Sequence, residues 1–504
     1  MESILSFSSS PFFKTLHTMT ASSHPSTCSL FPSVPTLPLD PQKAGTLFFI
    51  GIGGIGMSGL ALALHQKGYS IQGSDTGNSP HLARLKEHGL RIFHTHSEAH
   101  VRDASWVIFS SAITSRNPEI LKARAMGTPV LHRSDVLAHL TQHTPTIAIT
   151  GSHGKTTTTA LIGKMLSAAN LEPTVLTGGI MEDFQGPVLV GQGPWLVAEA
   201  DESDGTHQKL APHMAIVNNI DQEHMAFYHN EEKLLAGFAA FLNNVPKDGV
   251  RMASADCSRT AAVISSLEKP VLTYGLHPSA HTRVRVTASS VTGTLLHVTF
   301  PDKTTFEDVH LNLHGVHNAQ NAAAALSVAF QLGLSEATTR QALSTFKGVK
   351  RRFSRLATVG DITVIDDYAH HPAEIAATLN TAKTLCGGDV IAVCEPHRYS
   401  RLKDLYGDFV DALRQADEVV LLPVYSAGES PMTSVSSRKL SISLHAKGTT
   451  ASAWENHTHA HEYLKKRGGG GDMIVFMGAG TITNLAHALA ADLSSALERK
   501  DPLP

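Results

Sequence analysis

The chain has 504 residues, too many for one hydrophobic core and enough for two to four domains. Lysine and arginine total 41 against 44 acidic residues, a formal charge of −3, so no global charge directs it to nucleic acid or a membrane surface. No apolar run reaches the ~18 residues of a membrane span, and four scattered cysteines have neither metal-ligand spacing nor a disulfide framework.

Residues 1–44 are rich in Ser, Thr and Pro, with Glu2 and Asp40 as the only acids in the first forty. They lack a periodic apolar pattern and are expected to form a disordered tail. Two other readings stay open: an extended start with Met19 as the initiator, or an organellar transit peptide. Low acid content and many hydroxyls fit a transit peptide, whereas the want of arginines does not.

The pattern changes at Thr46. Leu47–Ile50 reads as a buried strand, and Gly51-x-Gly53-x-x-Gly56 turns into a helix carrying Leu60, Leu62, Ala63 and Leu64. A second strand at Tyr69–Gln72 leads to Ser74-Asp75. Glycines for a tight turn, followed by an acid after the next strand, form a diphosphate-binding fingerprint. A nicotinamide dinucleotide and a UDP-sugar present the same diphosphate. A second nucleotide loop downstream, with no hydride-transfer site between, favours the UDP-sugar. Strands at Trp106–Phe109, ending in Ser110-Ser111, and at Val130–Arg133, short with a polar end, complete a doubly wound α/β domain closing near residue 143.

The next stretch is the one the chain is organised around. Ile147–Ile149 is a short buried strand, Gly151-Ser152-His153-Gly154-Lys155-Thr156 a tight turn, and Thr157 onward a helix. Backbone N–H groups at a helix N-terminus, a lysine and a following hydroxyl together bind phosphate and Mg²⁺. The general pattern wants a glycine where Ile149 stands, so the loop is a shortened form. Lys155 is assigned to the β/γ-phosphates and Thr156 to the metal.

Trp195–Ala198 then delivers Glu199-Ala-Asp201-Glu202-Ser203-Asp204, and a carboxylate at a strand tip beside a phosphate loop grips hydrated Mg²⁺. Glu199, first off the strand, is the candidate. Ala215–Val217 leads to Asn218-Asn219-Ile-Asp221-Gln-Glu223-His224, where His224 reads as a metal-site group or an orienting one. Residues 250–310 alternate polar and β-branched residues, as in a small antiparallel patch. His314-Gly-Val-His317-Asn318 opens a small-residue helix, where Asn318 either caps it or reads adenine. In the last third, strands at Ile362–Ile365 and Val390–Val393 end in Asp366-Asp367-Tyr368-Ala-His370-His371-Pro372 and Glu395-Pro-His397-Arg398-Tyr399-Ser400-Arg401. Arg398 and Arg401, three apart, are spaced to converge on one carboxylate, or form an ordinary solvated pair.

GIGGIGMSG, GSHGKTTTT, EADESD, NNIDQEH, HGVHNAQN, KRRF, DDYAHHP and PHRYSR, in this order and spacing, resemble the Mur ligases over roughly residues 45–490. The resemblance implies an α/β protein of three domains. These are a Rossmann-like UDP-sugar-binding domain over 45–143, a central P-loop ATPase-like domain over 144–347 and a Rossmann-like amino-acid-binding domain over 348–504. It further implies ATP-dependent ligation of L-alanine to the lactyl carboxylate of UDP-N-acetylmuramate through an acyl phosphate, with Mg²⁺, in cytoplasmic peptidoglycan precursor synthesis. A plastid location follows only from the transit-peptide reading of the tail.

Carried over residue by residue, the family roles place Gly53, Gly54, Gly56, Asp75, Ser110 and Arg133 on the UDP-sugar. ATP falls to Gly151, Ser152, His153, Gly154, Lys155, Thr156 and Thr157, with Asn318 on adenine and Asp367 on the ribose. Thr156, Glu199 and His224 become metal ligands, Arg352 a phosphate partner, and Tyr368, His370, His397, Arg398 and Arg401 the L-alanine site. One departure stands out: the family usually follows the His224 segment with an aspartate, and this chain has Ala226. A monomer or homodimer is expected, with no nucleic-acid partner. The alternatives are a ligase that recycles a whole tripeptide onto the same UDP-sugar, and a non-catalytic UDP-sugar-binding protein. A nicotinamide dehydrogenase would leave Lys155, Glu199 and His224 idle.

Overall fold

The computed structural model describes residues 37–467 and 469–498, and the expectations for residues 1–36 lie outside them. The chain forms two compact units. The first comprises the described residues up to Arg285 together with Leu296–His310 and Ala319–Lys347. The second comprises Val286–Leu295, Leu311–Asn318 and the described residues from Gly348 onward. The described residues form three separate sheets.

The first sheet contains β1 (Thr46–Ile50), β2 (Ser70–Ser74), β3 (Arg91–Phe93), β4 (Trp106–Phe109) and β5 (Val130–His132). All five are parallel, in the order β3-β2-β1-β4-β5. The order reverses between β1 and β4, and such a switch point opens a crevice at the strands' C-terminal ends. The turn Gly51–Gly56 leaves β1 there. The helix that follows, Ile55–Gln66, is buried from Met57 through Leu64, not on one stripe alone. A helix that is apolar all round is covered on several sides, and here the second cover is the central sheet. A Cβ on Gly59 would lie 3.7 Å from Leu176 and Val188, and Leu47, Phe49 and Leu64 share one core with Val188, Leu196 and Ala198.

The disordered tail expected over 1–44 does not extend through its described part, residues 37–44. Asp40 caps a short helix, Pro41–Ala44. Leu37 and Ala44 join the buried core, and the Tyr69 hydroxyl donates to the carbonyls of Pro38 and Leu39. Apolar burial of two side chains and a satisfied phenol hold this segment down despite its proline-rich composition.

The central sheet is built on β6 (Thr146–Thr150), flanked by β9 (Leu196–Glu199) and β10 (Met214–Val217). Beyond β9 lie β7 (Thr174–Met181) and β8 (Gly186–Leu189), an antiparallel hairpin that carries the contact with Gly59. On the other side β11 (Val250–Ser254), β12 (Leu272–Gly275) and the start of β13 (Thr282–Ser290) continue in parallel. The expected antiparallel patch over 250–310 is therefore corrected for its first half, which extends the parallel sheet. Alternation there reflects one covered face near the sheet edge: Thr282 and Val284 are buried while Arg283 and Arg285 are exposed. Strands β14 (Gly293–Thr299) and β15 (Thr305–Leu311) follow.

In the second unit the order is β16-β17-β21-β18-β19-β20, from β16 (Ser354–Val359), β17 (Ile362–Asp367), β18 (Val390–Cys394), β19 (Glu418–Leu421), β20 (Thr450–Ala453) and β21 (Met473–Met477). Only the β16–β17 pair is antiparallel. Both faces carry buried clusters, which explains why β18 and β21 read as unbroken apolar runs. Strand β21 lies between β17 and β18, so the tips of all three face one crevice. Among the described residues no helix is long and apolar enough to cross a membrane.

Candidate active site

The phosphate loop forms as its residue types require. Strand β6 ends at Thr150, Gly151 turns at φ +131°, and Gly154 sits at φ +81° as the N-cap of the helix Lys155–Ala168. Ile149, which breaks the general glycine pattern, is a fully buried strand residue paired with Glu199 and Ile216. The loop is short because the strand runs further. Its frame comes from the tip of β10: Asn219 Oδ1 accepts from His153 N–H at 2.7 Å, and Ser152 N–H donates to Asn219 O at 3.1 Å. The His153 ring pairs with Asp221 at 2.7 Å. Asn218 donates to Thr158 Oγ1 at 3.0 Å and accepts from the buried Tyr274 hydroxyl at 2.9 Å.

Lys155 folds back over this loop. Its Nζ donates to Gly151 O at 2.5 Å, Ser152 O at 3.2 Å and Glu202 Oε1 at 2.9 Å. Burial works against the lysine's charge, but the carboxylates of Glu202, Asp201 and Glu199 outweigh it and hold the pKa above its ordinary value. Burial likewise opposes the charge on Glu202, yet Lys155 and a hydrogen bond from His224 keep that carboxyl below its usual range. The ammonium is thus favoured at the start of a helix whose N–H groups point the same way, a setting that binds phosphate.

His224 adopts φ +57° before the short helix Met225–Tyr228. Its Nε2 lies 3.5 Å from Glu202 Oε1 and 3.9 Å from Glu223 Oε2, and the three side chains offer ligand atoms all within 4.8 Å of one another. Two carboxylates and an imidazole suit a divalent cation. Glu199 accepts the Gly178 N–H at 2.6 Å and lies outside this trio. Exposed Ala226 offers His224 no polar side-chain atom, and the carboxylates beside the ring are Glu202 and Glu223. The pattern reading passed over Glu202: nothing in an acidic run of EADESD distinguishes the one acid that is only 2% exposed. Thr156 and Thr157, at the start of the loop's helix, are buried.

Behind Glu202, His207 is fully buried among Tyr228, Phe238 and Phe241. Burial lowers its pKa to about 4, against about 6.5 in an unfolded chain. Between those values only the unfolded state binds the proton, so stability falls as pH drops through this window and levels off below it. The thermal midpoint is expected to fall between pH 7.5 and pH 5. A His207→Leu variant should show a smaller fall, and an equal fall in both proteins would refute the assignment.

In the first sheet, Gly53 N–H donates to Asp75 Oδ2 and Gly77 N–H to Asp75 Oδ1, both at 2.8 Å. Asp75 therefore braces the glycine turn. Gly54 caps the helix Ile55–Gln66. A Cβ on Gly56 would meet the Arg133 guanidinium at 2.7 Å. Arg133 in turn pairs with Asp201 at 3.1 Å and Asp204 at 3.7 Å, joining the glycine turn to the tip of β9. Ser110 accepts the Ile113 N–H at its carbonyl, while its neighbour Ser111 donates to Asp204 at 3.2 Å.

In the second unit the residues expected to hold an amino acid come together. Tyr368 and His370 meet edge to face at 5.3 Å between ring centres, and His370 and His397 at 5.6 Å. Arg401 Nη1 lies 3.2 Å from His397 Nδ1. Burial, then His370, Arg401 and Arg398, push the His397 pKa down to about 4. Arg351 and Arg352 stand over the Tyr368 ring, and Arg352 lies 3.7 Å from Glu374. Asp367 accepts from Phe353 N–H at 2.6 Å and Ala369 N–H at 2.7 Å. Burial nevertheless raises its pKa to about 6, with Arg352 opposing. Asn318 is buried in the first turn of Val316–Gln331 and donates to His314 O at 2.8 Å.

The chain matches three family models end to end: the Mur ligase family catalytic domain over 46–144, the Mur ligase middle domain over 149–329 and the Mur ligase glutamate ligase domain over 351–480. It is a Mur ligase. Two relatives named UDP-N-acetylmuramate–L-alanine ligase are those of Paramagnetospirillum magneticum and Agrobacterium fabrum. They are 42% and 41% identical, over 91% and 90% of this chain and 98% of each relative. The crystal structure of a UDP-N-acetylmuramate–alanine ligase from Thermotoga maritima superposes with a TM-score of 0.75 at 30% identity, covering 90% of this chain and all of that one. A murein peptide ligase from Psychrobacter arcticus shares the fold, with a TM-score of 0.64 at 23% identity. As in other Mur ligases, three sheet-containing α/β domains make up the chain, each presenting the tips of its parallel strands.

Proposed function

We propose that this Mur ligase joins L-alanine to the lactyl carboxylate of UDP-N-acetylmuramate, cleaving ATP to ADP and phosphate. The observation that carries the reading is Lys155, a buried ammonium held charged by carboxylates over a helix-N-terminal phosphate loop. The relatives that bear the name of this reaction match across nine-tenths of the chain.

The carboxylate of the sugar attacks the γ-phosphorus of ATP, giving an acyl phosphate and ADP. The amine of L-alanine then attacks the acyl carbon, and phosphate leaves with its electron pair as the amide forms. Lys155 and the N–H groups of Ser152–Thr157 neutralise the charge that builds on the transferred phosphoryl group. Gly53, Gly54 and Gly56 leave room for the sugar nucleotide's diphosphate, with Asp75 bracing the turn and Arg133 and Ser110 at its edge. Asn318 and Asp367 serve adenine and ribose, and Arg352 a phosphate. Tyr368, His370, His397, Arg398 and Arg401 receive the amino acid, whose carboxylate suits paired guanidinium groups.

Thr156, Glu199 and His224 are the residues proposed to hold Mg²⁺, and the carboxylates of Glu202 and Glu223 beside His224 fit a divalent cation there. Bound Mg²⁺ would supply further charge neutralisation at the phosphates. The reaction is cytoplasmic. The relatives named above are bacterial, and the plastid alternative finds no support in them.

Phosphate release measured with UDP-N-acetylmuramate, ATP and Mg²⁺, offering L-alanine or the tripeptide separately, tests the reading. Release with L-alanine is expected. Release with the tripeptide alone would move the protein to the recycling reaction, and tight sugar-nucleotide binding without release would make it a binding protein.

A further inference from the structure

The amino-acid end is braced by a loop that its motifs do not include. Following β19, the segment Tyr425–Glu429 runs beside the His397–Arg401 turn. Tyr425 N–H donates to Pro396 O and Arg398 N–H donates to Tyr425 O, both at 2.8 Å, so His397 and Tyr425 pair as a parallel bridge. The two rings stack with centres 5.5 Å apart and planes 13° from parallel. The His397 ring thus meets His370 edge to face and stacks on Tyr425. The tyrosine is itself backed by Gly480, where a Cβ would come within 2.6 Å of the phenol ring.

Two further observations tie this loop to the arginines. Arg398 sits at φ +71°, ψ +135°, a conformation that is unfavourable for a non-glycine residue and persists only where neighbours enforce it. The enforcing bonds come from both ends of the loop. The Tyr425 carbonyl holds the Arg398 N–H, and Glu429 accepts from Ser400 N–H at 3.0 Å and from Ser400 Oγ at 2.6 Å. Glu429 is also close enough to Arg398 for the guanidinium to stabilise its charge.

We propose that Tyr425 and Glu429 are positioning residues for the amino-acid substrate. The Tyr425 ring sets the His397 ring, and Glu429 pins Ser400, so that Arg398 and Arg401 present one carboxylate-binding site. This rests on the assignment of His397, Arg398 and Arg401 to L-alanine. A preorganised binding pair loses affinity for its own ligand when its support is removed, while the other two substrates are unaffected.

Steady-state kinetics on the full chain test it, with the thermal midpoint recorded beside them. Tyr425→Ala and Glu429→Ala are expected to raise KM for L-alanine tenfold or more, with KM for ATP and for UDP-N-acetylmuramate within twofold of wild type. Tyr425→Phe, which keeps the stacked ring that Tyr425→Ala loses, is expected to restore the wild-type value. Unchanged KM for L-alanine in Tyr425→Ala, or equal rises for all three substrates, overturns the inference. Arg398→Ala separates the two levels. A raised KM for L-alanine there, with none in Tyr425→Ala, overturns the positioning role alone, whereas no change in Arg398→Ala overturns the amino-acid site and the inference with it.

Discussion

Lys155→Ala is expected to lower turnover by at least about 10²–10³-fold, the loss seen when one preorganised charge-stabilising donor is removed from a reaction of this kind. The same change strips Glu202 of its partner. Removing one member of a buried pair costs about 3–5 kcal/mol because the remaining charge is left uncompensated, and Glu202 is only 2% exposed. The single variant should therefore be both inactive and less stable. Pairing it with Glu202→Gln separates the two losses: the thermal midpoint should return towards wild type while phosphate release stays absent. Activity surviving in Lys155→Ala would remove the lysine from the reaction, and a double variant no more stable than the single would remove Glu202 as its partner.

Gly154→Ala is the second large effect. At φ +81° an alanine pays the left-handed penalty of roughly 1–2 kcal/mol, and its Cβ would lie 2.2 Å from Asn321 Oδ1 and 3.0 Å from Asn218 Nδ2. Neither amide is free to step aside. Asn321 accepts from Thr158 Oγ1 and Asn218 holds that same hydroxyl and Tyr274. The loop must open, and its N–H groups lose their common focus. Nucleotide affinity, followed by titration with a fluorescent ATP analogue, should fall by about 10²-fold or more if two of the converging donors are lost at about 1.5–3 kcal/mol each. Gly154→Ala with Asn321→Ala should recover part of this, because the overlap is relieved and the backbone strain is not. An unaltered affinity in the single variant would mean that the loop does not cradle phosphate.

The phosphate loop and the first glycine turn were legible in the sequence because they depend on neighbours in the chain. A strand, a glycine that tolerates positive φ, a lysine and a helix start are specified within about a dozen residues, and Gly151 and Gly154 occupy those conformations. The strand tips carrying Glu199, Asp367 and His397 were legible for the same reason, as apolar runs ending in polar clusters. What each side chain touches was not. EADESD contains four acids, and only the sheet order, with β6 between β9 and β10, buries Glu202 between Lys155 and His224. The helix Ile55–Gln66 was legible as a helix, but its cover by the β7–β8 hairpin was not.

Residues 37–44 read as tail by composition, yet pairing with Tyr69 holds them down. Arg133 meets Asp201 across 68 residues, and Tyr425 meets His397 only because β18 and β19 are adjacent and parallel. The sequence alone determined the local backbone, the succession of strands and helices, and the residue types gathered at each strand tip, because backbone preference and hydrophobic period act over short spans. Only the tertiary structure decided which acid faces the lysine and which ring backs the histidine. Those contacts follow from strand order, which brings distant segments side by side and leaves no periodic trace in the chain.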